Sequence, residues 1–346
     1  MPTSVSSRRR AKIVICSAVA VAALVLSACS GNTASGANGG GGITVATQPT
    51  ATGFPLWLAN KLGLYAKNGL TQVNLKYYQS GADMSSAGAT GAWDVGYMGA
   101  PPALTGWSKW KMIPAGGSAE EAKTQIMWGR TKDFAGKDPA SVLKGGSVLV
   151  KVNSTQQYAE LGCLQKFGLG LQDVKQLSLD ASAIPSAFTQ AQGTAAMTWP
   201  PFDASFVGNN EYTEVCNGDQ AGEKIWNLLA LTPTFAKAHR DKAEAYIKSV
   251  YQANDYITAH QNEAVNALIE FYKENGITED AAAARREITQ RSWPSQQEAV
   301  QLYKGPIGGQ LINLVNTFVK LGAFQDKPDV SAGLAAGLPY LEGAAK

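Results

Sequence analysis

A strand that runs through small or proline-containing residues straight into a helix start recurs three times in this chain, and it limits the fold more than any other feature. In the first instance Ile43-Thr44-Val45-Ala46 reads as a buried strand, Thr47 to Gly53 as a loop, and Phe54-Pro55 as the start of a helix that stops at Gly63. In the second, GAWDVGYMGAPP (Gly91 to Pro102), a short strand Val95 to Met98 is entered through Asp94 and left through Gly99-Ala100-Pro101-Pro102. In the third, Ser147 to Val152 leads through Asn153-Ser154-Thr155 into a helix ending near Phe167, with Ser154 and Gln157 at capping-box spacing. Proline suits the first helical turn because its φ is already set and no N–H is wasted. Glycine lets the backbone turn tightly and come close to a ligand. A helix that begins at a strand's carboxyl end presents free N–H groups there, a common place for α/β proteins to hold an anion.

The rest of the chain extends the alternation. Val73 to Tyr78 is expected as a strand and Gly81 to Thr90 as a small-residue helix. Strands are also expected at Gln125–Gly129, Val174–Leu179, Ala195–Trp199 and Ile225–Leu231, with helices at Pro185–Gln192 and from Phe202-Asp203. Thr232-Pro233 opens a long helix, and the chain then stays helical to about Gly322, with Asp326 to Val330 read as a loose tail. Such alternation predicts an α/β protein with mostly parallel sheets. The series runs twice, at 43–124 and 145–222, which predicts two lobes joined by crossings near Gln125–Arg130 and Ile225–Thr232.

Charge is informative only after the N-terminus is set aside. The formal charge is +3, but Arg8, Arg9, Arg10 and Lys12 lie in the first 28 residues, which hold no acid; the remainder has 26 basic against 27 acidic residues. No basic face argues for nucleic acid. Residues 1–28 read as an export signal: a basic start, an apolar run Ile13 to Leu26 too short for the ~20 residues of a span, and small residues at Ser27 and Ala28. Leu26-Ser27-Ala28-Cys29 resembles a bacterial lipobox, which implies that Cys29 becomes a lipidated first residue. Residues 29–42 are then that cysteine and a Gly/Ser tether with nothing to bury. Cys163 and Cys216 remain in an exported domain, where disulfides persist. They are either a pair, closing a loop worth ~4 kcal/mol in the chain-entropy model, or two separate buried thiols.

Four blocks, in order, now resemble the substrate-binding proteins of ABC importers in the nitrate, sulfonate and taurine branch. A "G-x-x-D-x-G-x-x-G-x-x-P" pattern is matched by Gly91, Asp94, Gly96, Gly99 and Pro102. A "D-L-K-G-K-x-V-x-V-x-x-G-S-T" pattern is matched by Val142 to Val148 and by Ser154-Thr155, and "W-x-P-F" by Trp199, Pro201 and Phe202. The fourth block is the ending, Leu321 to Phe324 through Pro328 to Ser331. The resemblance implies an α/β, two-lobed type II periplasmic-binding-protein fold with the ligand cleft between the lobes. Lobe one would be 43–129 plus 230–346 and lobe two 130–229. It also implies a small-molecule ligand, no cofactor, an ABC permease with a separate ATPase chain as partners, a monomer, and a site on the outer face of the cell membrane or the periplasmic side. Two positions depart from the pattern: Pro200 stands where the family often has an acid, removing one partner for a ligand amine, and Asn153 stands where it often has Gly, still tolerating a positive φ.

The expected chemistry is binding. Helix starts at Gly53-Phe54, Gly99-Ala100 and Ser154-Thr155 would hold an anionic head group through N–H groups and hydroxyls. Gln48 would add a donor, and Trp199 with Phe54 would flank the rest of the ligand. Asp203 either caps the Phe202 helix or meets a ligand amine; Trp57, Trp93, Trp107, Trp110 and Trp128 read as packing. An enzyme on the same fold is disfavoured: the two histidines, His239 and His260, lie in the helical third, no Ser–His–Asp arrangement fits, and no spacing reads as a metal site. An alkanesulfonate or taurine is the first expectation, nitrate or bicarbonate next. A neutral or cationic aromatic such as a thiamine precursor is the alternative, and it would need Asp203 or Asp94 in the cleft.

Overall fold

Ten strands form two five-stranded sheets in the computed structural model, which describes residues 42–320, 322, 324 and 326–346. The expected signal peptide, the lipid on Cys29 and all but the last residue of the tether lie outside the described residues. The strands are β1 (Ile43–Thr47), β2 (Val73–Tyr77), β3 (Val95–Gly99), β4 (Ile113–Glu120), β5 (Ile126–Arg130), β6 (Ser147–Val150), β7 (Lys175–Ser178), β8 (Ala195–Thr198), β9 (Tyr212–Asn217) and β10 (Trp226–Leu231).

One sheet has the order β2-β1-β3-β10-β4 and the other β7-β6-β8-β5-β9. Both are mixed rather than mostly parallel. Each has three parallel strands followed by an antiparallel one that borders the crossings between lobes: β10 pairs antiparallel with β3 and β4, and β5 with β8 and β9. The fold is therefore the two-lobed α/β arrangement expected, but the expected lobe boundaries shift. Residues 126–129 hydrogen-bond into the second sheet and 226–229 into the first, so the crossings fall at 121–125 and 218–225.

Four further differences have physical causes. β4 was not expected to be a strand, because IPAGGSAE has no β-branched or aromatic residue beyond its first. Its small residues admit a close helix: a Cβ on Gly337, in the helix Val330–Ala344, would lie only 1.7 Å from the Pro114 carbonyl oxygen. That helix was not expected; it follows the loose stretch at 326–329, which the sequence reading had reach Val330. β9 is an edge strand pinned to β5, and its Cys216 is bonded to Cys163 of the helix Thr155–Lys166. The helix expected from Phe202 is a run of turns over 201–208, following a cis Pro200-Pro201 bond.

The first lobe's core is aromatic and aliphatic. Tyr97 of β3, Leu229 of β10, Tyr246 and Tyr251 of the helix Arg240–Ala259, and Phe271 are all fully buried. Tyr246 donates to the Gly96 carbonyl and Tyr251 to that of Gly117, so the long helix is hydrogen-bonded to the sheet as well as packed on it. The second lobe has a smaller cluster that includes Ile126, Trp128, Leu149, Phe188 and Phe206. No helix among the described residues is long and apolar enough to cross a membrane.

Candidate functional site

The carboxyl ends of β1, β3, β6 and β8 meet at one cavity between the two sheets. From the first sheet side come Gln48, Thr50 and Thr52 after β1, Gly99 and Pro102 after β3, and Ser80, Gly81 and Ala82 at the start of the helix Gly81–Ala89. Glu121 follows β4, and Asn227 stands in β10 opposite Gly99. From the second sheet side come Lys151 to Thr155 after β6 and Trp199 after β8. The cavity measures about 60 Å³. A water needs roughly 10–15 Å³ by this measure, so there is room for about four to six water-sized groups.

The two lobes touch at this cavity. A Cβ on Gly99 would lie 2.8 Å from Thr155 Cγ2, so glycine is what allows β3 to approach the opposite helix this closely. Thr155 Oγ1 also donates to Gln125 Oε1 at 3.3 Å, in the crossing segment.

The helix Thr155–Lys166 aims its N-terminus into the cavity, and its cap is local in sequence. Asn153 takes φ 56°, the left-handed conformation that asparagine tolerates. Ser154 Oγ accepts from Gln156 N (3.2 Å) and donates to the Lys151 carbonyl (2.5 Å). The side chain of Gln157 accepts from Asn153 N, one residue earlier than a standard capping box would have it. Helix geometry leaves the remaining first-turn amides without an intrahelical acceptor, at the end of the helix that borders the cavity. Lys151 also lines the cavity; its ammonium lies 2.6 Å from Asp180, whose carboxyl it holds below the usual range.

The other helix starts differ from expectation. Gly53 N and Phe54 N both donate to the Thr50 carbonyl, at 2.9 and 3.1 Å, so those amides are spent inside the turn. Phe54 is fully buried between Trp57 and Phe271, with ring centroids 5.9 Å away in each case, and does not border the cavity. The Gly99-Ala100 start offers one amide in its first three helical positions, that of buried Ala100, because the next two are Pro101 and Pro102. Asp203 is fully buried and holds Arg286 by two guanidinium nitrogens at 3.0–3.1 Å, so it neither starts a helix nor reaches the cavity. Gln48, Gly99, Ser154, Thr155 and Trp199 are the expected residues that the fold gathers in the wall.

Several wall residues escaped the sequence reading. Thr50 and Thr52 form a hydroxyl cluster with Tyr97 OH at 2.8 and 3.2 Å. The start of the helix Gly81–Ala89 takes the place expected for Phe54; Ser80 capping Asp83 N was visible as an S-x-x-D spacing. Glu121 is the only carboxylate in the cavity wall among the described residues. Its Oε1 accepts from Asn227 Nδ2 at 2.8 Å and its Oε2 from Arg291 Nε at 3.4 Å. Burial raises its pKa, against the opposing pull of Arg291 and Asn227. Arg291 also serves Glu287, whose pKa burial pushes up to about 7 despite that pairing and the Tyr272 hydroxyl. No local pattern marks Glu121, since its partners come from β10 and from beyond residue 286.

No family model matches the chain. A protein of Brucella abortus described as a binding protein is 25% identical over 278 residues, covering 79% of this chain and 83% of the relative. The taurine-binding periplasmic protein of Escherichia coli is 23% identical over 284 residues, covering 78% and 84%. Among solved structures, the alkanesulfonate-binding protein of Xanthomonas axonopodis pv. citri, bound to MOPS, superposes with a TM-score of 0.70 at 17% identity, over 86% of this chain and 99% of that one. The chain is thus similar in sequence to binding proteins of this kind and shares the two-lobed fold of a sulfonate-binding protein, as the sequence blocks implied.

Proposed function

We propose that this protein is an extracytoplasmic solute-binding protein of an ABC importer. It captures a small anionic solute, an alkanesulfonate or taurine ahead of nitrate or bicarbonate, and delivers it to a permease driven by a separate ATPase chain. One observation carries the reading: a small cavity between two lobes is walled by hydroxyls and by helix starts from both sides, at Gly81 and at Thr155. Neutral donors of this kind satisfy the oxygens of a weakly hydrated anion and still release it. The anionic group sits at the Ser154-Thr155 start, with Trp199 as an apolar wall. Closure is a population shift driven by contacts the ligand makes with both lobes at once. The protein binds without catalysing, acts as a monomer, and is held at the outer membrane face by a lipid on Cys29.

Thermal unfolding against a panel of alkanesulfonates, taurine, nitrate, bicarbonate, small carboxylates and thiamine precursors tests this. A ligand at ~100 times its Kd adds about 2.7 kcal/mol, which in a domain of this size is roughly 5 °C. A shift confined to the sulfonates, lost in Ser154→Ala and Trp199→Ala, is the expected result. A shift only with thiamine precursors would overturn the anion reading.

A further inference from the structure

The cavity is lopsided in charge. Its second-lobe wall carries the helix start at Thr155, the Lys151 ammonium being paired with Asp180, and its first-lobe wall carries Glu121. Behind Glu121 the single guanidinium of Arg291 faces two carboxylates, both nearly or fully out of solvent. Its closer contacts go to Glu287: Nη1 meets Oε2 at 3.2 Å and the Glu287 carbonyl at 3.0 Å, while Glu121 receives one contact at 3.4 Å. A carboxylate can accept about four hydrogen bonds. Glu121 has two, from Asn227 and Arg291. Buried charges are tolerated when they are paired, and Glu121 is left with part of its pairing to be made from the cavity side. Among the described residues no other acid borders the cavity: position 200 is proline, Asp203 is held by Arg286, and Asp94 accepts from Thr44 N at the opposite end of β3.

We propose, resting on the sulfonate-binding reading above, that Glu121 is a specificity-determining residue that selects small sulfonates carrying an ammonium or comparable N–H donor at the far end. The anionic oxygens lie against the Thr155 helix start and the donor against Glu121, so a short zwitterion spans the cavity from lobe to lobe. Such a ligand completes the pairing of Glu121, whereas an alkyl end leaves the carboxylate desolvated and underpaired. The cost of that mismatch is what separates the two kinds of ligand.

Calorimetric titration of the protein with taurine and with 1-propanesulfonate, which puts a methyl where taurine has its ammonium, decides the matter. Taurine is expected to bind about 10- to 100-fold more tightly, the size of a hydrogen bond to a charged group. In Glu121→Gln the ratio is expected to fall to within about threefold of one. Equal or tighter binding of 1-propanesulfonate to the wild-type protein overturns the inference while leaving the sulfonate reading intact, and so does a ratio that survives in Glu121→Gln. The wild-type comparison stands even if the variant does not fold. If neither sulfonate binds, the sulfonate-binding reading fails and the role of Glu121 fails with it.

Discussion

Replacing Gly99 by alanine should weaken ligand binding without unfolding the protein. The backbone at Gly99 has φ −55° and ψ 152°, which any L-residue adopts, so the substitution carries no conformational penalty of its own. The new methyl would stand 2.8 Å from Thr155 Cγ2. Carbon atoms pack at about 3.5–4.0 Å, so the overlap is roughly 1 Å. Thr155 is β-branched and stiff at χ1, and its hydroxyl is engaged with Gln125, so it cannot easily turn away. Overpacking of this size costs about 1–3 kcal/mol. The clash lies between β3 of one lobe and the helix Thr155–Lys166 of the other, so its cheapest relief is a slight opening of the lobes. The expected outcome is a Kd raised about 5- to 100-fold, with the melting temperature of the ligand-free protein within about 2 °C of wild type. Adding Thr155→Ser deletes Cγ2, keeps the hydroxyl, and should restore most of the affinity. A methyl that merely obstructed the ligand would not be relieved by that second change. Wild-type affinity in Gly99→Ala, or no recovery in the double variant, would refute the reasoning.

Three further outcomes follow from buried groups away from the cavity. Asp203→Asn leaves the Arg286 guanidinium, whose side chain is 18% exposed, without its carboxylate; a urea melt should show a loss of about 2–4 kcal/mol, mostly recovered in Asp203→Asn/Arg286→Met, and additive losses would sink the pairing. Glu160 is fully buried with one oxygen unpartnered, and burial pushes its carboxyl to about 8 despite the Gln176 hydrogen bond. Its folded pKa is above the unfolded one, so it lowers stability as pH rises from about 5 to about 8, by up to ~1.4 kcal/mol per unit. Glu160→Gln should therefore flatten the pH dependence of the melting temperature over that window, and an unchanged slope would count against it. Replacing Cys163 and Cys216 by alanine opens a loop with a sequence separation of 53; the chain-entropy model gives a loss of about 4 kcal/mol, to be read from the denaturation midpoint, and a variant as stable as wild type would contradict it.

The strand–helix units at 43, 95 and 147 were legible because apolar runs end abruptly at Gly, Pro or Ser, and both the run and its punctuation are local. β4 was not, because nothing in IPAGGSAE favours a strand; only the helix that closes to within a van der Waals contact of Pro114 gives its small residues a purpose. The lobe boundaries were misplaced for a related reason. β5 and β10 look alike in sequence to any strand of either sheet, and their membership depends on antiparallel pairing with residues about 70–130 positions away, Ile126 with Thr198 and Leu229 with Tyr97 among them. Likewise Asp203 follows a Trp-Pro-Pro-Phe run that suggests a helix start at a binding site, but its carboxylate is claimed by an arginine 83 residues further on.

The same division runs through the cavity itself. Head-group chemistry is written in consecutive residues: Asn153 supplies the left-handed turn, Ser154 the cap and Thr155 the first helical amide, so a reader of the sequence can find that end. Discrimination of what the head group is attached to depends on Glu121 and Asn227, 106 residues apart and hydrogen-bonded to each other, and on Arg291 behind them. None of these has a neighbour in sequence that betrays its role. An anion held by backbone amides needs only a properly capped helix, and many chains can supply one at little cost to packing. A carboxylate kept out of water needs a guanidinium, an amide and a free side toward the ligand, all brought together by the tertiary fold. Specificity within a family of sulfonate-sized anions is therefore the part of this site least visible in sequence. The ratio of taurine to 1-propanesulfonate affinity measures that part directly, because both ligands present the same head group to the legible end.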